Sequence, residues 1–483
     1  MQKEQGKLMK SVSTHLGMKC GLEIHIQLNT RSKIFCGCQN PTNLEDPKPN
    51  SLTCEICFGM PGSRPKLNKE VVEVGRKIAL TLGCKIAEEM YFSRKTYFYP
   101  DNSKDFQITQ YEVPLGTGGG IKILSEGKEK IINIKRIHLE EDAAKTVHIG
   151  GMIGGKYSLI DYNRSGVPVA EIVTEPDITN PQEARAVIQK LITILEYLGV
   201  YDSSSRAVIK SDANVSVYGG ERVEVKEITG AKEIEEALQY EIVRQSNLVK
   251  SGNKVKPEVR TWNPEIKSTH SVRMKEGEEE YGYIFEPDLP YVENKKEYLE
   301  KIRKGLPELP SQKVERFVKE YKIQKGLSES IASEKELAYL FEQVAKKVKP
   351  DLAATWIAGY LKKTLNWNGL LFRNSGLKAE WIIDLLLSFQ KGELTDRNAE
   401  LAIRKMVEEK KSAQEIIKKY DLAKESVDLE RVVKEIIKKN PKAVEDARKD
   451  PKAINFLVGL ILKETKGKAD AQEVRKFILK GLE

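Results

Sequence analysis

The 483-residue chain lacks most features that mark secreted, membrane-bound or fibrous proteins. No apolar run reaches the roughly 18 residues that a membrane-spanning helix needs. The lysine-containing N-terminal stretch has no apolar centre of the kind found in signal peptides. Six cysteines are too few for a disulfide scaffold in a chain of this length. We therefore expect a cytoplasmic globular protein that keeps its thiols reduced and has no membrane partner.

A classical phosphate-binding loop is also missing. Residues 150–156 (GGMIGGK) have the glycine and lysine spacing of such a loop, but Tyr157 stands where serine or threonine is required. The segment leads into a strand-like run, whereas a phosphate loop opens a helix. We interpret it, and the glycines at 118–120, as hairpin loops. If the protein uses ATP, it must hold the phosphates by other means.

The amino-acid composition and the hydrophobic periodicity of the chain change along its length. Up to about residue 295, short β-branched runs alternate with Gly, Pro and Asn, which predicts a largely antiparallel sheet. Beyond Pro290 the sequence is rich in Lys and Glu and has helical periodicity. We predict an α+β protein with a sheet domain at 1–295, a helical domain at 296–375 and a small all-helical tail domain at 376–483. The net charge of +9 permits nucleic-acid binding without requiring it.

The sequence predicts where two of the helices begin. Asn180 can cap a helix that has Pro181 in its first turn and Glu183 at the capping-box spacing, and Gly199 can end it. Ser311 is a plausible cap for the first helix after the LPELP segment.

Four of the six cysteines form two close pairs. Cys36 and Cys38 are followed, after fifteen residues, by Cys54 and Cys57. Four thiolates on two tight loops suit tetrahedral zinc, and a filled coordination sphere indicates a structural site. The alternative is four reduced structural cysteines. The two remaining cysteines have apolar neighbours and are expected in the core.

Acidic residues and one histidine recur on the predicted strands. Glu23 and His25 lie two residues apart and hence on one face of a strand. Glu140 and Glu141 end another strand, and Glu171 lies in a third. Together they would suit Mg²⁺ bound with nucleotide phosphates. Each of them taken alone is better explained as part of a solvated strand face, and the sequence does not show that they converge.

The segment SRKTYFYPDNSKDFQITQY interleaves aromatic and basic side chains. Tyr97, Phe98 and Tyr99 lie between Lys95 and Lys104. Such a loop can stack a base and hold phosphates, or it can pack its aromatics on the core. The Lys-rich tail likewise admits two interpretations, a nucleic-acid-binding appendage or an ordinary solvated helix surface.

In this order, these features resemble the B subunit (GatB) of the Glu-tRNA(Gln)/Asp-tRNA(Asn) amidotransferase. The resemblance covers nearly the whole chain. It rests on GLEIHIQLNTRSKIFCGC, CEICFGMPGSRPKLN, RKTYFYPDNSKDFQITQY, HLEEDAAK, DYNRSGVPVAEIVTEPD, SDANVSV, EPDLP, LPELPS and FLVGLILKETKGKA. The related archaeal protein, GatE, usually carries a large insertion before the tail, for which the middle region here leaves no room.

The resemblance implies an unusual kinase domain, the cradle, built on an antiparallel sheet and followed by a helical domain and a tRNA-binding tail. The cradle would use ATP and Mg²⁺ to phosphorylate the side-chain carboxylate of Glu or Asp carried by tRNA(Gln) or tRNA(Asn). Ammonia from glutamine, hydrolysed by a partner amidase, would then form the amide. A small third protein of the complex would clamp the other two.

The resemblance also assigns roles to individual residues. Catalytic and magnesium-binding roles fall on Glu23, His25, Glu140, Glu141 and Glu171. The structural zinc site falls on Cys36, Cys38, Cys54 and Cys57. Nucleotide- and substrate-side contacts fall on Lys95, Tyr97, Tyr99, Lys104 and Arg164.

Three segments depart from the family pattern. Lys210 precedes the DANVS motif where the family usually has Arg, and EVKEITG replaces a stretch of small polar residues. Glu280 and Gly282 alter a motif near the end of the cradle. A second hypothesis is therefore a divergent paralogue that binds tRNA but has lost kinase activity. A third is an unrelated zinc-containing nucleic-acid-binding protein.

Overall fold

The computed structural model describes residues 17–149, 157–274, 281–424, 429–449, 453–465, 469 and 471–482. The chain forms two compact units, Met1–Leu309 and Pro310–Glu483. Over the described residues, the first unit is a sheet with a few helices and the second is helical. The α+β prediction is confirmed. A further division of the helical part near residue 375 remains a prediction, and both the glycine-rich run at 150–156 and Glu280 lie outside the described residues.

The strands of the first unit belong mainly to one large sheet. In chain order they are β1 (Met18–Gln27), β2 (Lys85–Ile86), β3 (Glu89–Met90), β4 (Ser93–Thr96), β5 (Phe106–Thr109), β6 (Gly116–Thr117), β7 (Gly120–Ser125), β8 (Lys128–Glu141), β9 (Lys145–Ile149), β10 (Tyr157–Asp161), β11 (Pro168–Thr174), β12 (Ile209–Val217), β13 (Val223–Thr229), β14 (Glu258–Asn263), β15 (Ser268–Met274), β16 (Gly282–Phe285) and β17 (Val292–Glu293). The order in the large sheet is β15-β14-β13-β12-β1-β11-β8-β6-β2, with β7 also on β8. Its described strand pairs are antiparallel except for β13 with β14, as predicted.

The helices of the first unit are α1 (Lys69–Thr81), α2 (Pro181–Leu198), α3 (Gly230–Lys250) and α4 (Lys296–Lys304). The predicted start of α2 is confirmed, since Asn180 Oδ1 accepts the N–H of Glu183 at 2.9 Å. Its predicted end is confirmed too, because Gly199 has the left-handed φ of 70°. The Glu183 carboxylate, however, accepts the N–H of Thr179 rather than that of the cap residue.

Alternation along β1 separates the core from a polar face. Leu22, Ile24 and Ile26 are fully buried and share one core with the apolar sides of α2 and α3. The two cysteines outside the close pairs also lie in this core, as predicted. Glu23 and His25 point to the opposite face of the sheet because side chains alternate along a strand. This polar face carries the candidate site.

The glycines at 118–120 do not form the predicted hairpin loop. β6 and β7 both pair with β8 in one register, so the glycines interrupt a single long strand. A Cβ on Gly119 would lie 2.4 Å from the carbonyl oxygen of Leu82, which explains the need for glycine there. The hairpin turn falls instead at Glu126 and Gly127, both with positive φ, as a tight two-residue hairpin requires.

The second unit contains only helical elements among its described residues. They are α5 (Pro310–Tyr321), α6 (Lys325–Ala332), α7 (Lys335–Val344), α8 (Pro350–Thr355), a π-helical turn (Trp356–Leu361), α9 (Lys362–Trp367), a 3₁₀ turn (Phe372–Asn374), α10 (Ala379–Gln390), α11 (Asp396–Glu409), α12 (Ala413–Lys419), α13 (Leu429–Lys439), α14 (Pro441–Lys449), α15 (Ile454–Glu464) and α16 (Ala471–Leu482). In the described part of the chain, no helix is both long and apolar enough to cross a membrane.

Ser311 is not the cap of α5. The helix begins one residue earlier, at Pro310. Proline is well suited to the first helical position because its missing N–H would have had no partner there. In the tail, Leu457 and Ile478 are buried, whereas Phe456 is 60% exposed. The buried stripe is therefore narrower than the apolar pattern of the sequence.

Candidate active site

The polar face of the sheet gathers ionisable side chains from four adjacent strands. His138, Glu171, His25 and Lys210 are successive register partners on β8, β11, β1 and β12. They form one lateral row, and further acidic residues occupy the same face two positions along three of these strands, namely Glu140 on β8, Glu23 on β1 and Asp212 on β12. These side chains line a cavity of 430 Å³. The structure thus brings together residues that lie far apart in the sequence.

Two histidines and two glutamates form the first group in this cavity. His25 Nε2 lies 3.3 Å from Glu171 Oε2 and 3.7 Å from Glu140 Oε1. On the other side, His138 Nε2 lies 3.0 Å from Glu171 and 3.4 Å from Glu140. Thr109 Oγ1 donates to Glu140 at 3.0 Å. His25 is 31% exposed, whereas the other three are buried, so His25 presents this group to the cavity.

The electrostatics of this group favour charged side chains. Desolvation opposes protonation of His25, but the carboxylates of Glu171 and Glu140 outweigh it and raise the pKa of His25 to about 10. The same balance raises the pKa of His138 to about 9. Burial acts to raise the pKa values of Glu140 and Glu171, yet the histidines lower both. At neutral pH the group therefore pairs two imidazolium ions with two carboxylates.

A second group consists of carboxylates alone. Glu23, Asp212 and Glu224 each offer an oxygen, and these oxygens lie within 4.8 Å of one another. Burial, and then repulsion from Glu171 and the other two carboxylates, raises the pKa of Glu23. Lys226 Nζ partly compensates, at 3.1 Å from Glu224 and 3.6 Å from Asp212. The group has an excess of negative charge, which favours a cation.

Both groups have donors that fit a divalent cation. Mg²⁺ prefers oxygen ligands, so the carboxylate-only group matches it directly. The His25, Glu140 and Glu171 group offers nitrogen and oxygen, a mixed set that Mn²⁺ or Zn²⁺ also accepts. His25 would have to release its proton to act as a ligand.

Glu141 joins neither group, although the resemblance assigned it to magnesium. Its Oε1 accepts from Lys104 Nζ at 2.5 Å and from the N–H of Ile108 at 2.8 Å. Glu141 still lines the cavity, but alternation along β8 directs its carboxylate away from that of Glu140. Glu141 instead anchors the segment that contains Lys104, another residue assigned to substrate contact.

The aromatic and basic segment is divided between the cavity and the surface. Lys95 lines the cavity, with its Nζ 4.5 Å above the ring of Tyr281. Tyr97 packs edge-on against Tyr281, with centroids 6.1 Å apart. Phe98 and Tyr99 are 78% and 64% exposed and are not among the cavity-lining residues. Tyr97 therefore lies against the cavity wall, Phe98 and Tyr99 lie outside the cavity lining, and a base-stacking role for these aromatic residues stays a prediction.

Arg164, to which the resemblance assigned a nucleotide contact, also lines the cavity. Its guanidinium donates to the carbonyl oxygens of Ala143 and Ala144, at 2.9 and 2.6 Å. It also lies 3.7 Å from Asp142. These contacts hold the guanidinium group of Arg164 in the lining of the cavity, where an anionic ligand can reach it.

Several residues of the site were missed from the sequence. His138 lies two residues before Glu140, so the argument that paired Glu23 with His25 would also have found it. Asp212 and Glu224 carry a weaker signal, since neither has a second carboxylate or a histidine two residues away on its strand. Their role follows only from the register of β12 and β13 beside β1.

The four paired cysteines converge as predicted. Their Sγ atoms all lie within 4.8 Å of one another. Tetrahedral zinc with Zn–S bonds of about 2.3 Å places sulfur atoms about 3.8 Å apart, so the cluster fits this ion. The Cys36 thiol, with help from the Lys33 ammonium, lowers the pKa of Cys57 to about 4. Lys33 is fully buried, and its Nζ lies 3.5 Å from Cys57 Sγ.

The thiol cluster is hydrogen-bonded to two loops beside the cavity. The carbonyl oxygen of Cys57 accepts from Ser165 Oγ at 2.8 Å and from Ser103 Oγ at 3.2 Å. Ser165 follows Arg164, and Ser103 precedes Lys104. One backbone carbonyl therefore connects the cluster to both loops.

Comparison with known proteins agrees with this geometry. The profile described as GatB/GatE catalytic domain matches residues 18–300, and that described as GatB domain matches residues 339–482. The chain belongs to this family. Relatives named as the B subunit of aspartyl/glutamyl-tRNA(Asn/Gln) amidotransferase occur in Saccharolobus solfataricus (40% identity, 96% of this chain and 99% of the relative) and Methanoregula boonei (42% identity, 96% and 97%). Another, in Thermodesulfovibrio yellowstonii, is 42% identical over 95% of this chain and 98% of its own length. The family suggested by the sequence motifs is confirmed.

Proposed function

We propose that this chain is the kinase and transamidase component of a tRNA-dependent amidotransferase. It transfers the γ-phosphoryl group of ATP to the side-chain carboxylate of Glu-tRNA(Gln), Asp-tRNA(Asn) or both, and then forms the amide with ammonia. The observation that carries this proposal is the cavity in which His25, Glu140 and Glu171 meet beside basic residues. Membership in the family, together with the names of its relatives, supports the same reaction.

The chemistry explains why such a cavity is needed. A carboxylate resists attack by ammonia because its leaving group would be oxide. Transfer of the γ-phosphoryl group breaks the bond from phosphorus to the β,γ-bridging oxygen and forms a new bond to a carboxylate oxygen. Ammonia then attacks the carbonyl carbon, inorganic phosphate leaves with that oxygen, and the nitrogen loses a proton. Such transfers depend mainly on positioning and charge neutralisation.

The side chains of the cavity match these demands. Mg²⁺, when bound by Glu23, Asp212 and Glu224 or by His25, Glu140 and Glu171, would neutralise phosphate charge. Lys95, Arg164 and Lys210 line the same cavity and supply fixed positive charge. Arg164 can contact a phosphate group through two N–H donors. The cavity carboxylates can accept hydrogen bonds from ammonia and take up the proton it releases.

The remaining roles are divided between this chain and its partners. The ammonia comes from glutamine hydrolysed in a separate amidase, and a small third protein completes the complex. Zinc at Cys36, Cys38, Cys54 and Cys57 is structural, because four thiolates leave no open position. The tail, at 376–483, binds the tRNA. Removal of the tail should weaken tRNA binding, and equal affinity with and without it would contradict this role.

A direct test is amidation of Glu-tRNA(Gln) and Asp-tRNA(Asn) by this chain with its partner proteins. Ammonium is supplied, so that the amidase is not needed. We expect amide product that requires ATP and that is lost in the Glu171→Gln variant. The tRNA that is converted identifies the substrate.

A divergent paralogue without kinase activity is the second hypothesis, and one observation favours it. Lys210 and Glu227, two of the departures from the family pattern, line the cavity. Bound tRNA without amide product from either substrate would select this alternative.

A further inference from the structure

One wall of the cavity is aromatic. Tyr111, Tyr281 and Tyr283 line it, in contrast to the mostly charged and polar side chains elsewhere. Tyr281 immediately precedes β16 and Tyr283 lies within it, and both side chains face the cavity. The rings of Tyr111 and Tyr283 are stacked, with centroids 3.9 Å apart and an interplanar angle of 14°. The pair forms a flat surface beside the ionisable groups.

This wall adjoins the groups that would hold phosphates and metal. Tyr283 is the register partner of Lys95, whose Nζ lies over the ring of Tyr281. The carboxylates of Glu140 and Glu171 act electrostatically on both Tyr283 and Lys95. A ligand with a negatively charged end and a flat apolar end would therefore have a contact surface for each.

The stacked pair has no evident packing role. Tyr111 is 54% exposed, and neither Tyr111 nor Tyr283 belongs to the hydrophobic core of the first unit. A fold does not require two stacked rings at the mouth of a charged cavity. Half-exposed aromatic rings beside basic residues are instead typical of surfaces on which nucleobases stack.

We propose that Tyr111 and Tyr283 form a stacking platform for a purine base inside the cavity. The proposal rests on the proposed function, because that reaction brings two adenosines here. One belongs to ATP, and the other is the 3′-terminal nucleotide of the tRNA that carries the amino acid. The ligand chemistry is the same in both cases, an adenine joined through ribose to a reacting phosphate or ester.

The test uses the full chain assembled with its partner proteins. Affinities for ATP and for inorganic tripolyphosphate are measured by displacement of a fluorescent ATP analogue. The Tyr111→Ala variant should bind ATP about tenfold more weakly, since stacking on one aromatic ring contributes that order of affinity. Its affinity for tripolyphosphate, which has no base, should not change. Tyr111→Phe, which keeps the ring, should behave as the unaltered protein.

A second arm separates the two sources of adenine. The KM for aminoacyl-tRNA is measured in the ammonium-dependent amidation assay at saturating ATP. A tenfold increase in that KM in Tyr111→Ala, with ATP affinity unchanged, would assign the platform to the 3′ end of the tRNA. Tyr218→Ala is the matched control, because Tyr218 is 82% exposed and does not line the cavity.

Two results would overturn the platform. One is Tyr111→Ala with unchanged ATP affinity and unchanged KM for aminoacyl-tRNA. The other is an equal loss in Tyr111→Phe and Tyr111→Ala, which would assign the effect to the hydroxyl group rather than to stacking. Failure of the proposed function is recognised separately, as absence of amide product from the unaltered complex, while ATP binding still tests the platform.

Discussion

The thiol cluster at residues 36–57 and the carboxylate–histidine cavity are two potential metal sites built in opposite ways. The cluster takes its ligands from two tight loops that are close in sequence, whereas the cavity takes its ligands from strands between β1 and β13. Local loops can complete a site by their own geometry. The cavity exists only when the whole sheet has its correct register. Substitutions in the thiol cluster should therefore mainly lower the stability of the protein, and substitutions in the cavity should mainly lower the amidation rate.

The largest expected effect is on catalysis by the cavity. Glu171→Gln removes a carboxylate that contacts both histidines, and we expect the amidation rate to fall about 10³-fold, the size of several kcal/mol of charge stabilisation. Zinc content, measured by atomic absorption, should not change. Glu175→Gln makes the same charge change just beyond β11 and should keep full activity. Normal activity in Glu171→Gln would contradict our assignment of the cavity.

Disruption of the thiol cluster should have the opposite profile. Cys54→Ser removes one of four ligands, so we expect loss of zinc and a fall of roughly 5–10 °C in the midpoint of thermal unfolding. Cys84→Ala, which alters a core thiol outside the cluster, should retain the zinc. Calorimetry and metal analysis on both variants provide the check. An unchanged midpoint after loss of zinc would show that the cluster has no structural role.

A smaller effect is expected from the buried histidine. His138→Gln leaves Glu140 and Glu171 without their innermost partner, and such supporting contacts typically alter metal affinity 10–100-fold. We therefore expect the Mg²⁺ or Mn²⁺ concentration for half-maximal activity to rise by that factor. The exposed His148, changed to Gln, serves as the control. If the metal dependence of His138→Gln matches that of the unaltered protein, His138 does not support the ligands.

The smallest effect concerns the connection between the two sites. Ser165→Ala removes one hydrogen bond from the Cys57 carbonyl, worth about 1 kcal/mol, and should lower kcat about fivefold through the neighbouring Arg164. Zinc content should remain complete. Ser63→Ala removes a similar surface hydrogen bond to Met60 and should have no effect. Loss of zinc in Ser165→Ala would mean that the serine supports the cluster itself.

The same contrast explains what the sequence could and could not predict. The convergence of all four paired cysteines could be predicted because their spacing is local, and the cap at Asn180 was found for the same reason. The place of His138 in the site and the position of Glu141 could have been predicted, since strand alternation alone determines both. The roles of Asp212 and Glu224 could not, because they depend on pairing between distant strands. The exposure of Phe456 could not be predicted either, because an apolar pattern does not show where the buried side of a helix ends.

The lateral row of His138, Glu171, His25 and Lys210 has a consequence for how this protein can change over generations. Deletion of one residue within β1 would turn His25 toward the core and bring an isoleucine into the cavity, since a one-residue slip exchanges the two faces of a strand. The same holds for each strand that contributes to the row. Insertions and deletions can therefore accumulate between these strands but not within them. A change of length in any one of the four strands would take its member of the row out of the cavity.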